Sequence, residues 1–330
     1  MRVPNQSPAV SRRRVFQLAA LTALSTALPG ISGCTVARTE ESTPDPLIKL
    51  RDLAARDAQS ALAAIPGHPE DAALLTAIAA QRGAHARALD AEVQRVAGPD
   101  ATATAEEPAA DTSDPRGTLQ PAPVSVTVLA SELSESAEAS ASATAVLSGY
   151  RAGLLAAISA NCATHVALLT ETPPPPVRAP AGAAETSDAD VAALAAALER
   201  EHAAIFSYGV TTAFSLPERR AFAAAGAEEH RFRRDLLITL LTAAGGPAPV
   251  AAAAYTLPLT VDSPATAAEL ALVAEGECSA AWRSVAERAE SPALRELAVA
   301  ALAECTLRIA GWRDVLSITP RVDVFPGQPD

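Results

Sequence analysis

Twice along this chain, four helix-length segments are joined in the order short turn, long connection, short turn. In the second half, a helix from about 187 to Phe214 is followed at once by SLPERR, with Pro217 at a first-turn position, and by a second helix that runs to Gly245. GPAPVAAAAYTLPLTVDSP then separates these from two further helices, about 265–290 and 292–317, which only Ser291 and Pro292 divide. The first half repeats the plan. Helices at about 46–65 and 70–97 flank PGHP, a polar stretch covers 98–123, and helices at about 125–147 and 149–171 complete it. Helices of about 22–27 residues span roughly 33–40 Å. A connection of about 20 residues, at roughly 3.3 Å per residue, can run back along a bundle of that length.

Composition points the same way. Alanine dominates, aromatic residues make up 3% of the chain, and Lys49 is its single lysine among many arginines. Ala, Leu, Arg and Glu are strong helix formers, so the expectation is an all-α protein. Ser187 and Asp190 have the spacing of a capping box at the start of the second half. Four helices with a single long crossover between the second and third is the ferritin-like arrangement, so the chain reads as two tandem ferritin-like four-helix bundles. Local similarity supports duplication: AHARALD around His85 parallels EHRFRRD around His230, and ISANCATHVALL around Cys162 parallels ALAECTLRIAGW around Cys305. TPPPPVRAPAGAAETSD, 172–188, is expected to be an extended polyproline spacer between the bundles 47–171 and 189–330.

The first 34 residues read as an address. SRRRVF carries the pair Arg12 and Arg13 ahead of the apolar run LAALTALSTALPGI, which Pro29 and Gly30 interrupt and which is short for a membrane span. The pair resembles a twin-arginine export signal, and ISGC resembles the lipobox of bacterial lipoproteins, in which the cysteine, here Cys34, is acylated and becomes the first mature residue. The resemblance implies an extracytoplasmic protein anchored by lipid to the outer face of the cytoplasmic membrane, with 35–46 as a polar tether. Loss of the leader removes four arginines and takes the formal charge from −12 to about −16. Such a charge repels nucleic acid, which is excluded as a partner.

Residues 190–327 resemble the ferritin-like "domain of unknown function 4439" family of actinobacterial lipoproteins through ALEREHAAIFSYG, EHRFRRDLL, YTLP (Tyr255 to Pro258) and VFPG (Val324 to Gly327). The resemblance implies fold and export, with no established activity. Ferritin-like di-iron proteins use one Glu from each of two helices and a Glu-x-x-His pair from each of the other two. Carried over, Glu201, His230, Glu275 and Glu304 match part of that set, but Ala227 stands three residues before His230 and Leu307 three after Glu304. With Arg233, Arg234 and Arg308 close by, two readings stand: an iron or manganese centre, or a buried Glu–His–Arg network left after such a centre decayed. In the first half, only His85 and Glu132 stand out as counterparts of His230 and Glu275. Glu199 and His202 form the one literal Glu-x-x-His. Glu199 lies 200° round the helix from Glu201, so an inward Glu201 sends Glu199 to solvent. Cys162-x-x-His165 is a two-ligand fragment, and His68 in PGHP has no functional reading.

Cys278 and Cys305 are equidistant from the Ser291–Pro292 turn and should lie level on adjacent helices. They are either a disulfide, worth roughly 3 kcal/mol for a loop of about 27 residues, or two small core residues. The sequence contains no strand pattern and no glycine-rich nucleotide or nucleophile motif. The expectation is a non-enzymatic envelope lipoprotein with an unidentified envelope partner and no cofactor. The alternatives are a metal-binding oxidoreductase or storage protein, and a carrier of apolar ligands.

Overall fold

The computed structural model describes residues 44–97, 124–180 and 186–328. Arg12, Arg13, Cys34, most of the tether and the first crossover lie outside the described residues. Among the described residues eight α-helices follow one another: α1 (Pro46–Ala64), α2 (Ala72–Ala97), α3 (Val126–Val146), α4 (Gly149–Thr170), α5 (Asp188–Phe214), α6 (Pro217–Ala243), α7 (Pro264–Arg288) and α8 (Pro292–Val315). No strand occurs among the described residues. The all-α expectation holds, and the helix ends agree with the sequence reading to within a few residues.

Local chemistry sets those ends. Ser187 accepts from the Asp190 amide while Asp190 accepts from the Ser187 amide, and Ser263 and Thr266 form a second capping box at α7. Pro46, Pro217, Pro264 and Pro292 occupy first-turn positions, where the missing N–H has no intrahelical partner to lose. Gly245, at φ 69°, closes α6 in the left-handed region that a side chain would resist. Asp190 also accepts from the amides of Glu290 and Ser291, pinning the start of α5 to the α7–α8 turn.

In each half the first helix packs on the second and third, and the third on the fourth. The crossover from α6 to α7 is irregular throughout. The halves then pack together through α4 on α8, α4 on α7 and α3 on α8. Exchanging the repeats maps this set onto itself, the pattern of an isologous contact between two copies. Small residues make the approach close: a Cβ on Gly153 of α4 would overlap the Glu287 side chain of α7. Arg295 of α8 donates to the Ala145 carbonyl at the end of α3. Helix α4 is long and apolar enough to cross a membrane, but 78% of that window is buried inside the protein, as a central core helix requires.

The Pro-rich segment has no helix over 172–180, and the two halves it joins belong to one compact unit, Pro44–Asp330. Val177 is buried in the second-half core and its amide donates to Glu304 Oε1 at 2.8 Å. Residues 181–185 lie outside the described residues.

Candidate functional site

The second half has a polar centre built from four helices. Glu201 comes from α5, His230 and Arg233 from one face of α6, Glu275 from α7 and Glu304 from α8. Glu201, His230 and Glu275 are completely buried. Glu201 and His230 meet because they lie equally far from the α5–α6 turn. His230 Nδ1 donates to Glu201 Oε2 at 2.7 Å and Nε2 to Glu275 Oε1 at 3.2 Å. Arg233 donates from Nε to Glu201 Oε1 at 2.8 Å and from Nη1 to Glu304 Oε2 at 2.7 Å. Trp282 Nε1 adds a third bond to Glu201, at 2.7 Å. Tyr208 donates its hydroxyl to Glu275 Oε1 and accepts from Trp312 Nε1 at 2.9 Å.

The charges balance locally. Burial opposes ionisation of Glu201, but Arg233 and His230 outweigh it and hold the carboxyl down at about 2. Burial likewise opposes the charge on Glu275, which His230 and Arg233 overcome to lower its pKa. Burial disfavours the His230 imidazolium, yet the carboxylates of Glu275 and Glu201 raise its pKa above the ordinary value. Arg233 Nη2 stands 2.8 Å from His230 Nδ1, and the two groups share the Glu201 carboxylate. Glu304 is different: burial raises its pKa, and it joins the others only through Arg233.

This donor set does not fit a metal ion. Glu201, His230 and Cys278 bring one potential ligand atom each within 4.8 Å of one another. However, both Glu201 oxygens and both His230 nitrogens already face protein partners, and the Arg233 guanidinium binds Glu201 and Glu304 together. Glu275 Oε2 is the one carboxylate oxygen of the Glu201–Glu275 pair with no partner. Burial pushes the Cys278 and Cys305 thiols well above their ordinary range. Of the two readings of this pair, a disulfide or two small core residues, the structure has the second: both are free, buried cysteines, and Cys278 Sγ faces His230 Nδ1 at 4.0 Å. The accidental Glu-x-x-His separates as anticipated, with Glu199 exposed and His202 bonded to the Pro249 carbonyl of the crossover at 3.1 Å.

The first half contains a matching centre, most of which sequence reading missed. Asp57, offset by 144 from Glu201, is completely buried and accepts from Arg82 Nε at 3.1 Å, from Ser136 Oγ at 2.6 Å and from Arg56 Nη2 at 2.8 Å. Arg82 Nη1 donates to His85 Nδ1 at 2.9 Å. Arg82 occupies the position three before the histidine, where the Glu of a Glu-x-x-His ligand pair would stand. Asn161 stands at the place of Glu304. Glu132 is half-buried at the rim, 3.7 Å from Arg56, so the carboxylate that stood out in the sequence is not the central one. His165 Nε2 and Asn161 Nδ2 both donate to Gln81 Oε1, at 2.9 and 2.6 Å, and Cys162 is a free thiol in the core. Burial and Arg82 push the pKa of His85 and of His165 down to about 3, leaving both neutral. The available signal for Asp57 was the repeat offset itself.

Residues 193–330 match the model of a family described as a domain of unknown function, DUF4439. A crystal structure of a conserved hypothetical protein, rv2844, from Mycobacterium tuberculosis is 43% identical, covering 39% of this chain and 98% of that one, with a TM-score of 0.38. No curated protein matches the chain. The Glu201–His230–Arg233 centre lies within the matched residues, and the second half of the chain is a DUF4439 domain.

Proposed function

We propose that this chain is an exported envelope lipoprotein, anchored through Cys34, whose two fused ferritin-like halves act as a non-enzymatic scaffold for an envelope partner. The observation that carries the non-enzymatic part is Arg233. Its guanidinium neutralises Glu201 from inside the bundle, at the place where a di-iron protein would keep its metal. No group in the centre is both activated and reachable: His230 is engaged at both nitrogens and the thiols are held protonated. An apolar-carrier role finds little room, since Trp282, Trp312 and Tyr208 fill the second bundle. Export and lipidation are supported by the twin arginines and the ISGC motif.

Two measurements test this reading. The chain expressed in a bacterium with a lipoprotein pathway should fractionate with membranes and carry a diacylglyceryl mass on Cys34, and Cys34→Ser should release it. The purified protein, loaded with ferrous iron or manganese under reducing conditions, should retain no stoichiometric metal. One ion per chain that disappears in Glu201→Ala and His230→Ala would replace the scaffold reading with metal storage or oxidation.

A further inference from the structure

The first-half centre holds the end of the chain. Beyond α8 the backbone passes over α2 and α4, where three consecutive carbonyls find buried donors. Val322 O accepts from Gln81 Nε2 at 2.8 Å, Asp323 O from Asn161 Nδ2 at 2.8 Å, and Val324 O from His85 Nε2 at 2.7 Å. Val322 is 1% exposed, and Phe325 packs on the first-half core with its ring 5.2 Å from that of His85.

The donors are themselves oriented. Asp57 holds Arg82, and Arg82 donates to His85 Nδ1, which places the histidine proton on Nε2, facing the tail. His165 and Asn161 donate to Gln81 Oε1, which turns the Gln81 amide nitrogen toward Val322. Gly327, at φ 72°, then brings the backbone so near α7 that a Cβ there would come within 2.5 Å of the Ser279 carbonyl. The segment after α4 does the reciprocal job. Val177, offset by 145 from Val322, is buried in the second half, and its amide donates to Glu304, the counterpart of Asn161.

From these contacts we infer that the first-half polar centre is a recognition cleft for peptide backbone, occupied by residues 322–325 of this chain, and that each half is held by the strap following the other. The cleft reads carbonyls, which every peptide has, and takes its selectivity from the apolar anchors Val322 and Phe325. The ligand class is therefore a short irregular peptide with two apolar side chains spaced three apart. The centre has buried hydrogen-bonding capacity, and backbone carbonyls satisfy it.

The test uses the full chain. Hydrogen exchange followed by mass spectrometry should show residues 320–328 protected, and Gln81→Leu with His85→Leu should speed their exchange at least tenfold while α5–α8 stay protected. Unchanged exchange in the tail would overturn the inference. Because those substitutions lie in a core, a second arm alters only the ligand. Full-length protein with Val322→Ala and Phe325→Ala should bind a labelled synthetic peptide of residues 319–330 saturably, at least tenfold more tightly than wild type, whose cleft is filled. Equal binding by the two proteins, or binding by neither, would also overturn it.

Discussion

In the first half the arginine that neutralises the buried carboxylate stands three residues before the histidine of its helix; in the second half it stands three residues after. Arg82 and Arg233 reach Asp57 and Glu201, respectively, because positions three apart in either direction share a helix face. The bundle thus requires that a buried carboxylate be neutralised and leaves open which neighbouring position does it. The consequences differ. Arg82 keeps His85 neutral and frees its Nε2 proton for the tail, whereas His230 sits between two carboxylates that raise its pKa and favour its charged form. One centre became a grip for backbone and the other a closed ion cluster.

The largest effect should come from opening the closed cluster. Glu201→Leu leaves the buried Arg233 guanidinium with only Glu304 as its carboxylate and should cost about 3–5 kcal/mol in urea unfolding. Adding Arg233→Met should recover most of the loss, since removing both members of a buried pair is far milder. A double variant no more stable than the single would mean that packing at Trp282, not charge, is what Glu201 supplies.

Acidity should separate the two halves. His85 and His165 titrate at about 3 when folded and near 6.5 when unfolded, so their contribution is complete above pH 6.5 and is lost as pH falls toward 3. His230 is raised, so its contribution is complete below pH 6.5 and is lost as pH climbs through its folded value. Glu201, lowered to about 2, holds its contribution down to about pH 4.5 and loses it below. Between pH 6.5 and 4.5, amide protection factors should therefore fall in α2 and α4 and hold in α6 and α7. Parallel loss in both halves would break the contrast.

Two glycines on equivalent helices sharpen it at a smaller scale. A Cβ at Gly226 would lie 2.6 Å from the Tyr208 ring, so Gly226→Ala should destabilise by about 1–3 kcal/mol. Gly83 on α2 has only the Arg87 guanidinium nearby, at 3.5 Å, and Gly83→Ala should stabilise by about 0.5–1 kcal/mol through helix propensity. Both follow from urea midpoints. The smallest effect is expected at Glu199, where Glu199→Gln should leave the midpoint and the His202 environment unchanged.

Much of this was readable beforehand. Ser187 with Asp190 marked the start of α5, Pro217 and Pro292 marked tight turns, and equal spacing from the α5–α6 turn put Glu201 against His230. Asp57 was missed because a single buried Asp among the charged residues Arg51, Asp52 and Arg56 has no local signature; only its register with Glu201 distinguishes it. Gln81 and Asn161 were missed for a related reason: amides carry no charge to mark them, and their partners lie 241 and 162 residues away. Level positions on adjacent helices permit a disulfide without requiring one, and Cys278 and Cys305 are free.

Helix periodicity, capping and turn residues act over a few neighbours, so the sequence by itself determined eight helices, their lengths and the two-fold repetition of their order. How the halves pack together and where the segments after α4 and α8 lie were decided only by tertiary structure. Those outcomes depend on hydrogen-bond satisfaction between residues more than a hundred positions apart, at Val177 with Glu304 and at Val322 with Gln81. No window of sequence contains both members of such a pair.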